Sequence, residues 1–166
     1  MRLFIALQLA DNVNQALVRV MHDMKKKGIT GNYVPLKNLH MTLAFIGETD
    51  QAEAVKSVLQ TIPGENYRLS LAGYGAYGDV FWVGVKGNQR LKKYVSDLKN
   101  ELIRQGIPCD RKKLEPHITV IRKMKGNKPA DLVIPPAEMA VNKISLMKSE
   151  QKEGKTVYKE LFSVSV

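Results

Sequence analysis

One cysteine, Cys109, stands among the 166 residues. No disulfide can form within such a chain, and a reducing compartment, the cytoplasm, is the expected home. Neither a paired-cysteine pattern nor His-Glu-x-x-His occurs, so no metal site and no cofactor are expected. The sequence also lacks an uncharged run of the ~20 residues that a membrane helix requires. Arg2 and the apolar residues from Leu3 to Ala10 superficially resemble a signal peptide. Gln8 interrupts that run, no small-residue cleavage site of the usual form follows, and it leads straight into Asp11, so a first strand is expected. The glycine-rich stretch Gly73-Tyr74-Gly75-Ala76-Tyr77-Gly78 has no Gly-Lys-Ser/Thr ending and precedes a strand pattern. It reads as a hairpin connection, not a nucleotide cradle.

Acidic residues are in the minority, 16 against 26 Lys and Arg, for a net charge of +10 and a pI near 9.7. Such a balance fits a polyanionic partner but says nothing of fold. With 44% hydrophobic residues the chain is too apolar for disorder. A chain of this length buries roughly 70% of its extended surface on folding and needs no covalent staple. No Pro/Gly/Ser-rich linker divides it, so one domain over 1–166 is expected, with a monomer as the simplest state.

The sequence repeats itself at an offset of 77. Asp11 and Asn88 each stand where a short apolar run gives way to a helical pattern, and both suit an N-cap. Before them lie residues 3–7 and 80–84, with Phe4 matching Phe81, which read as buried strands. After them, Val13, Ala16, Leu17, Val20, Met21 and Met24 share one helical face, as do Leu91, Tyr94, Val95, Leu98 and Leu102. Gly28-Ile29 and Gly106-Ile107 read as helix stops. Further β-rich runs open at His40 and His117. A helix is expected over 50–62, with Asp50 and Glu53 spaced as a capping box. The matching second stretch, with Pro129, Pro135 and Pro136, reads as loop. Late strands are expected over 67–74, 141–148 and 156–166, with a turn over 150–155. The resulting architecture is α+β: two lobes related by a pseudo-twofold axis, each an antiparallel sheet with helices on one face, and a cleft between them.

Of the three histidines, His22 points away from the apolar face of the first helix and reads as a surface residue. His40 and His117 occupy equivalent strand positions, each followed two residues later by threonine. Alternation aims His40 with Thr42, and His117 with Thr119, away from the core. Two imidazoles on opposite sides of one atom suit an in-line displacement, one accepting a proton and the other donating one. Phosphorus is such a centre, and the hydroxyls of Thr42 and Thr119 are placed for its remaining oxygens. Arg122, near the end of the second strand, can add a fixed positive charge. Symmetry gives two complementary roles without assigning them. Cys109 has no local nucleophile signature and reads as inert.

At these two tetrapeptides the chain resembles the 2H phosphoesterase superfamily, and within it the RNA 2′,3′-cyclic phosphodiesterase branch, also called the 2′-5′ RNA ligase or LigT-like family. Arg2-Leu3-Phe4-Ile5-Ala6-Leu7 is similar to that family's start, residues 38–47 to its first motif, and Pro116-His117-Ile118-Thr119-Val120-Ile121-Arg122 to its second. It departs from the family's pattern at Tyr33, Gly78-Asp79 and Leu114-Glu115. The resemblance implies metal-independent hydrolysis of a terminal ribose 2′,3′-cyclic phosphate to a 2′-phosphate, with His40 as proton donor and His117 as acceptor. It implies RNA 3′ ends, or small nucleotides with a 2′,3′-cyclic phosphate, as partners. A 2′-5′ ligase or nuclease, an enzyme of small cyclic phosphates, and an RNA-end-binding module without turnover are the alternatives. Lys92, Lys93, Lys112, Lys113, Arg122, Lys123 and Lys125 can track an RNA backbone. Tyr33, Phe45 or Trp82 can stack a base, although core packing is the simpler reading for these aromatics, above all for Trp82.

Overall fold

A computed structural model describes residues 1–86 and 89–166. Along the described residues run β1 (Arg2–Gln8), α1 (Asp11–Lys26), β2 (Thr30–Tyr33), a 3-10 turn (Leu36–Asn38), β3 (His40–Glu48), α2 (Ala52–Thr61) and β4 (Tyr67–Tyr77). Then follow β5 (Val80–Lys86), α3 (Gln89–Arg104), β6 (His117–Lys125), β7 (Glu138–Val141), β8 (Lys143–Lys152) and β9 (Lys155–Ser165). The strands form two antiparallel sheets, sheet A in the order β3-β1-β8-β9 and sheet B in the order β2-β6-β5-β4-β7. No helix among the described residues is long and apolar enough to cross a membrane.

The helices follow their apolar spacing. Val13, Ala16, Leu17, Val20, Met21 and Met24 of α1 are all buried, as are Leu91, Tyr94, Val95, Leu98 and Leu102 of α3. Both helices end on the same device. Gly28 and Gly106 adopt positive φ, 78° and 79°, a conformation that a Cβ penalises. Ile29 then donates to the Met24 carbonyl and Ile107 to that of Leu102, while each glycine amide closes the inner bond. α1 packs along β7, α2 against α3 and β9, and α3 against β3. A continuous core takes in Leu3, Ile5 and Leu7 of β1 and Phe81, Val83 and Val85 of β5. Fully burying a side chain of this kind contributes about 1.5–3 kcal/mol.

Each sheet draws strands from both halves of the sequence. β4 follows α2 but pairs with β5 in sheet B, and β8 pairs with β1 in sheet A. The expected strand over 141–148 is therefore two strands. β7 ends at Val141 in sheet B, and β8 begins at Lys143 in sheet A, with Asn142 as the crossover.

Several local expectations are corrected. Asp11 is the first residue of α1, and Ala10, which offers no side-chain cap, precedes it; Asn88 lies outside the described residues. Asp50 does not cap α2, which starts at Ala52 after Gln51. Thr49 Oγ1 accepts from the Gln51 amide instead, and Glu53 pairs with Lys56 at 2.8 Å. Phe4 and Phe81 face opposite ways: Phe81 lies in the main core, whereas Phe4 packs with Ala6, Met147 and Tyr158 on the other face of sheet A. Pairing explains this. Ala6 lies opposite Thr42 and Gln8 opposite His40, while Trp82 lies opposite Thr119 and Gly84 opposite His117. Against the two histidine strands β1 and β5 thus correspond one residue off the 77 offset, and a one-residue slip reverses every side chain. The turn expected over 150–155 shrinks to Glu153-Gly154, both at positive φ, the signature of a two-residue hairpin. The β8–β9 hairpin is correspondingly longer. β4 likewise runs through the glycine-rich stretch to Tyr77, leaving Gly78-Asp79 as the connection.

Candidate active site

β3 and β6 run next to each other where the two sheets meet, and each presents its histidine at its first residue. His40 Nδ1 lies 2.7 Å from the Asn38 carbonyl. A carbonyl can only accept, so Nδ1 carries the hydrogen and Nε2 faces Thr42 Oγ1 at 3.0 Å. The Asn38 carbonyl is itself fixed: this buried residue sits in the 3-10 turn, and its Nδ2 donates to the Thr156 carbonyl of β9. Phe4 and Tyr158 enclose the imidazole, each with ring centroids 5.1 Å away.

His117 repeats this construction. Its Nδ1 lies 2.7 Å from the Glu115 carbonyl, again two residues earlier, which leaves Nε2 as the free nitrogen. Tyr77 and Trp82 flank it edge-on at 6.1 and 6.2 Å. The Tyr77 phenol donates to Glu115 Oε2 at 2.8 Å. Trp82 crosses β4 at Gly75, where a Cβ would stand 2.4 Å from the indole. Trp82 therefore lies on the face of His117, half-buried, and is not a core residue.

Arg122 stands five residues after His117, which in a regular strand would put it on the opposite face. A bulge corrects the phase. Phe81 pairs with Ile121 and Trp82 with Thr119, skipping Val120, so that Val120 and Ile121 are both buried and Arg122 returns to the face of His117 and Thr119. β3 carries the same irregularity. Ile5 pairs with Ala44 and Ala6 with Thr42, Leu43 and Ala44 are both buried, and Phe45 comes back to the face of His40 and Thr42.

The cleft consists of two cavities that share His40, Arg122, Thr156 and Tyr158. One, of 450 Å³, adds Thr119, Lys37, Lys152 and Lys155. The other, of 380 Å³, adds Arg2, Phe4, Thr42 and Phe45. The structure thus brings His40, Thr42, Thr119 and Arg122 to one space, with His117 on the strand that carries Thr119. Burial pushes His40 below the usual imidazole range. The Asn38 carbonyl opposes that shift, and the nearby charges of Arg122 and His117 add to it. His117 itself lines neither cavity.

Other expected residues fall elsewhere. Lys92, Lys93, Lys112 and Lys113 line a separate groove, while Lys123 and Lys125 are exposed at the end of β6. The Tyr33 hydroxyl donates to the Ile29 carbonyl at 2.7 Å, and its ring forms part of the cleft wall. Phe45 is exposed, with the Arg2 guanidinium 4.8 Å above its ring. His22 is exposed. Cys109 is half-buried, and desolvation, with Asp110 beside it, pushes its thiol up, away from a reactive thiolate. Reading the sequence missed Arg2, Lys37, Lys152, Lys155 and Tyr158 as cleft residues. The long β8–β9 hairpin brings three of them, and alternation along β1 was the available signal for Arg2.

Two sheets meeting at paired His-x-Thr strands, with an arginine in the same cleft, define a two-histidine phosphoesterase. A family model described as the 2'-5' RNA ligase superfamily matches residues 14–153, and the chain belongs to that superfamily. A Thermotoga maritima protein named RNA 2',3'-cyclic phosphodiesterase is 30% identical over 98% of this chain and 94% of its own. The Escherichia coli K12 protein of that name is 29% identical over 96% and 93%. The crystal structure of E. coli LigT complexed with 3'-AMP matches with a TM-score of 0.83 at 26% identity, covering 99% of this chain and 97% of that one.

Proposed function

We propose that the chain is an RNA 2′,3′-cyclic phosphodiesterase, hydrolysing a terminal ribose 2′,3′-cyclic phosphate to a 2′-phosphomonoester by general acid/base catalysis between His40 and His117. The observation that carries this reading is the matched presentation of the two imidazoles, each held through Nδ1 by the carbonyl two residues before it. Both leave Nε2 for chemistry. The relatives' names and the nucleotide bound by the LigT neighbour support the substrate class. We also propose that the single domain, 1–166, consists of two fused repeats of one plan and acts as a cytoplasmic monomer.

In this mechanism neutral His117 Nε2 takes a proton from water as the oxygen attacks phosphorus. The bond from phosphorus to O3′ breaks, and His40 Nε2–H gives its proton to O3′, leaving a 2′-phosphate and a 3′-hydroxyl. Thr42, Thr119 and Arg122 stabilise the oxygens not in line with attack. The lowered affinity of His40 for its proton bears on how it serves as an acid. An anionic phosphate entering the cleft offsets the charge of Arg122, which favours protonation. Thr42 then ceases to donate to Nε2, and its hydroxyl is free for a phosphate oxygen.

The test is product analysis on an oligoribonucleotide with a 2′,3′-cyclic phosphate end, in EDTA, resolving 2′- from 3′-phosphate products. Ring opening to the 2′-phosphate is expected. Binding with no product after long incubation identifies an RNA-end-binding module instead, and an exclusive 3′-phosphate product overturns the assignment of the leaving oxygen.

A further inference from the structure

Away from the cleft, α3 and the segment 111–114 enclose a groove of 520 Å³. Lys92, Lys93, Arg111, Lys112 and Lys113 line it, Asn100 adds a neutral amide, and no carboxylate stands among the lining residues. Lys93 is paired with Asp97 at 2.8 Å. Lys92, Arg111, Lys112 and Lys113 have no ion pair among the described residues, and all four are exposed. Cations gathered in this way repel one another in the free protein, a repulsion that a bound polyanion relieves.

The groove has a fixed floor. Lys99, 7% exposed, donates to Asp110 Oδ1 at 2.6 Å and to the Lys112 carbonyl at 2.7 Å, which pins the 110–112 backbone to α3. Two hydrogen bonds join that floor to the rim of the cleft. The Asp110 amide donates to the Phe45 carbonyl at 2.9 Å, and the Phe45 amide donates to Asp110 Oδ2 at 2.6 Å. Phe45, with Arg2 over its ring, lines the cavity that holds His40 and Thr42. Asp110 therefore ties the floor of the groove to Phe45, which stands in the cleft beside His40 and Thr42.

We propose that this groove binds the phosphodiester backbone of a single-stranded RNA whose 3′ end lies in the cleft. The direction of the strand rests on the cyclic phosphodiesterase reading, and the occupancy of the groove does not. The groove gives affinity for the RNA body without touching the reacting phosphate, so its contribution falls on long substrates alone.

The test compares the protein with its Lys92→Glu/Lys112→Glu/Lys113→Glu variant and with a control of equal charge change elsewhere, Arg19→Glu/Lys26→Glu/Lys159→Glu. The probes are a 3′-phosphorylated single-stranded RNA of about 20 nucleotides, ATP, and two substrates, a 2′,3′-cyclic mononucleotide and the same RNA with a cyclic phosphate end. The groove variant is expected to bind the RNA about tenfold more weakly, with its log–log salt slope reduced by about 0.7 for each phosphate that the groove no longer neutralises. Its KM for the long substrate rises in proportion, while kcat/KM for the mononucleotide stays within twofold. Unchanged RNA affinity, an equal loss in the control variant, an equal loss on both substrates, or loss of ATP binding with RNA binding intact each overturns the proposal. If the unmodified protein turns over neither substrate, the reading of the cleft fails, and the binding arm still decides the groove.

Discussion

Tyr77 and Glu115 are joined by a phenol-to-carboxylate hydrogen bond of 2.8 Å, and the carbonyl of the same Glu115 holds His117 Nδ1. Tyr77 thereby braces the segment that orients the imidazole, while its ring lies on Trp82 with centroids 5.5 Å apart. Tyr77→Phe keeps the ring and removes the tether. We expect kcat to fall about threefold to tenfold with KM nearly unchanged, because a less ordered base is a loss of positioning. Equal changes in KM and kcat would show instead that Tyr77 contacts substrate.

Arg122 is the one guanidinium shared by both cavities of the cleft. Arg122→Ala is expected to lower kcat/KM by about 10²–10³, the scale for removing one transition-state donor. Arg122→Lys keeps the charge, loses the planar fork and should recover only part of that loss. Steady-state kinetics decide the matter, and an alanine variant within twofold of the unmodified protein excludes the role.

The pH dependence of stability follows from His40. Its folded affinity for a proton lies below that of a free imidazole, whose ordinary value is 6.5. As pH falls through that value the unfolded chain takes up a proton that the folded chain resists, so the contribution of His40 is complete above it and is lost toward its lowered folded value. Thermal melts from pH 5 to 8 should therefore show Tm rising with pH, and His40→Gln should flatten the acidic part of the curve. An identical pH slope in that variant contradicts the burial argument.

Much of the cleft was legible in the sequence because its signals are local. The spacing of His40 from Thr42 and of His117 from Thr119 is a period-two statement, and strand alternation delivered it. The helix stops at Gly28 and Gly106 were readable because a positive-φ residue needs glycine. What stayed hidden depends on pairing between distant strands. The bulges at Leu43-Ala44 and Val120-Ile121 have no sequence signature, yet they return Phe45 and Arg122 to the cleft. The one-residue slip between β1 and β5, which turns Trp82 toward His117, comes from the same cause. The exchange of β4 and β8 between sheets also lies beyond local pattern, since both strands read alike whichever sheet receives them.

Asp110 ties α3 to β3 through Lys99, the Phe45 amide and its own amide, which donates to the Phe45 carbonyl. Asp110→Ala leaves the buried Lys99 ammonium with the Lys112 carbonyl but without its counter-ion, and strips the Phe45 amide of an acceptor. A cost of about 3 kcal/mol is expected, the lower end for breaking a buried pair because Asp110 is partly exposed. For a chain of this size that is a Tm lower by roughly 6–12 °C. Lys99→Met with Asp110→Asn, which removes both charges together, should recover much of it. A single variant that melts with the unmodified protein rules out this anchor.

The two-histidine account is tested most directly by single-turnover rates of cyclic-phosphate ring opening for the unmodified protein, His40→Ala, His117→Ala and the double variant, all in EDTA. Each single variant is expected to lose about 10²–10⁴ in rate, and the double variant little more than either, because an acid and a base that serve one displacement act as a unit. Ring opening at the unmodified rate in either single variant, or losses that multiply in the double, would contradict it.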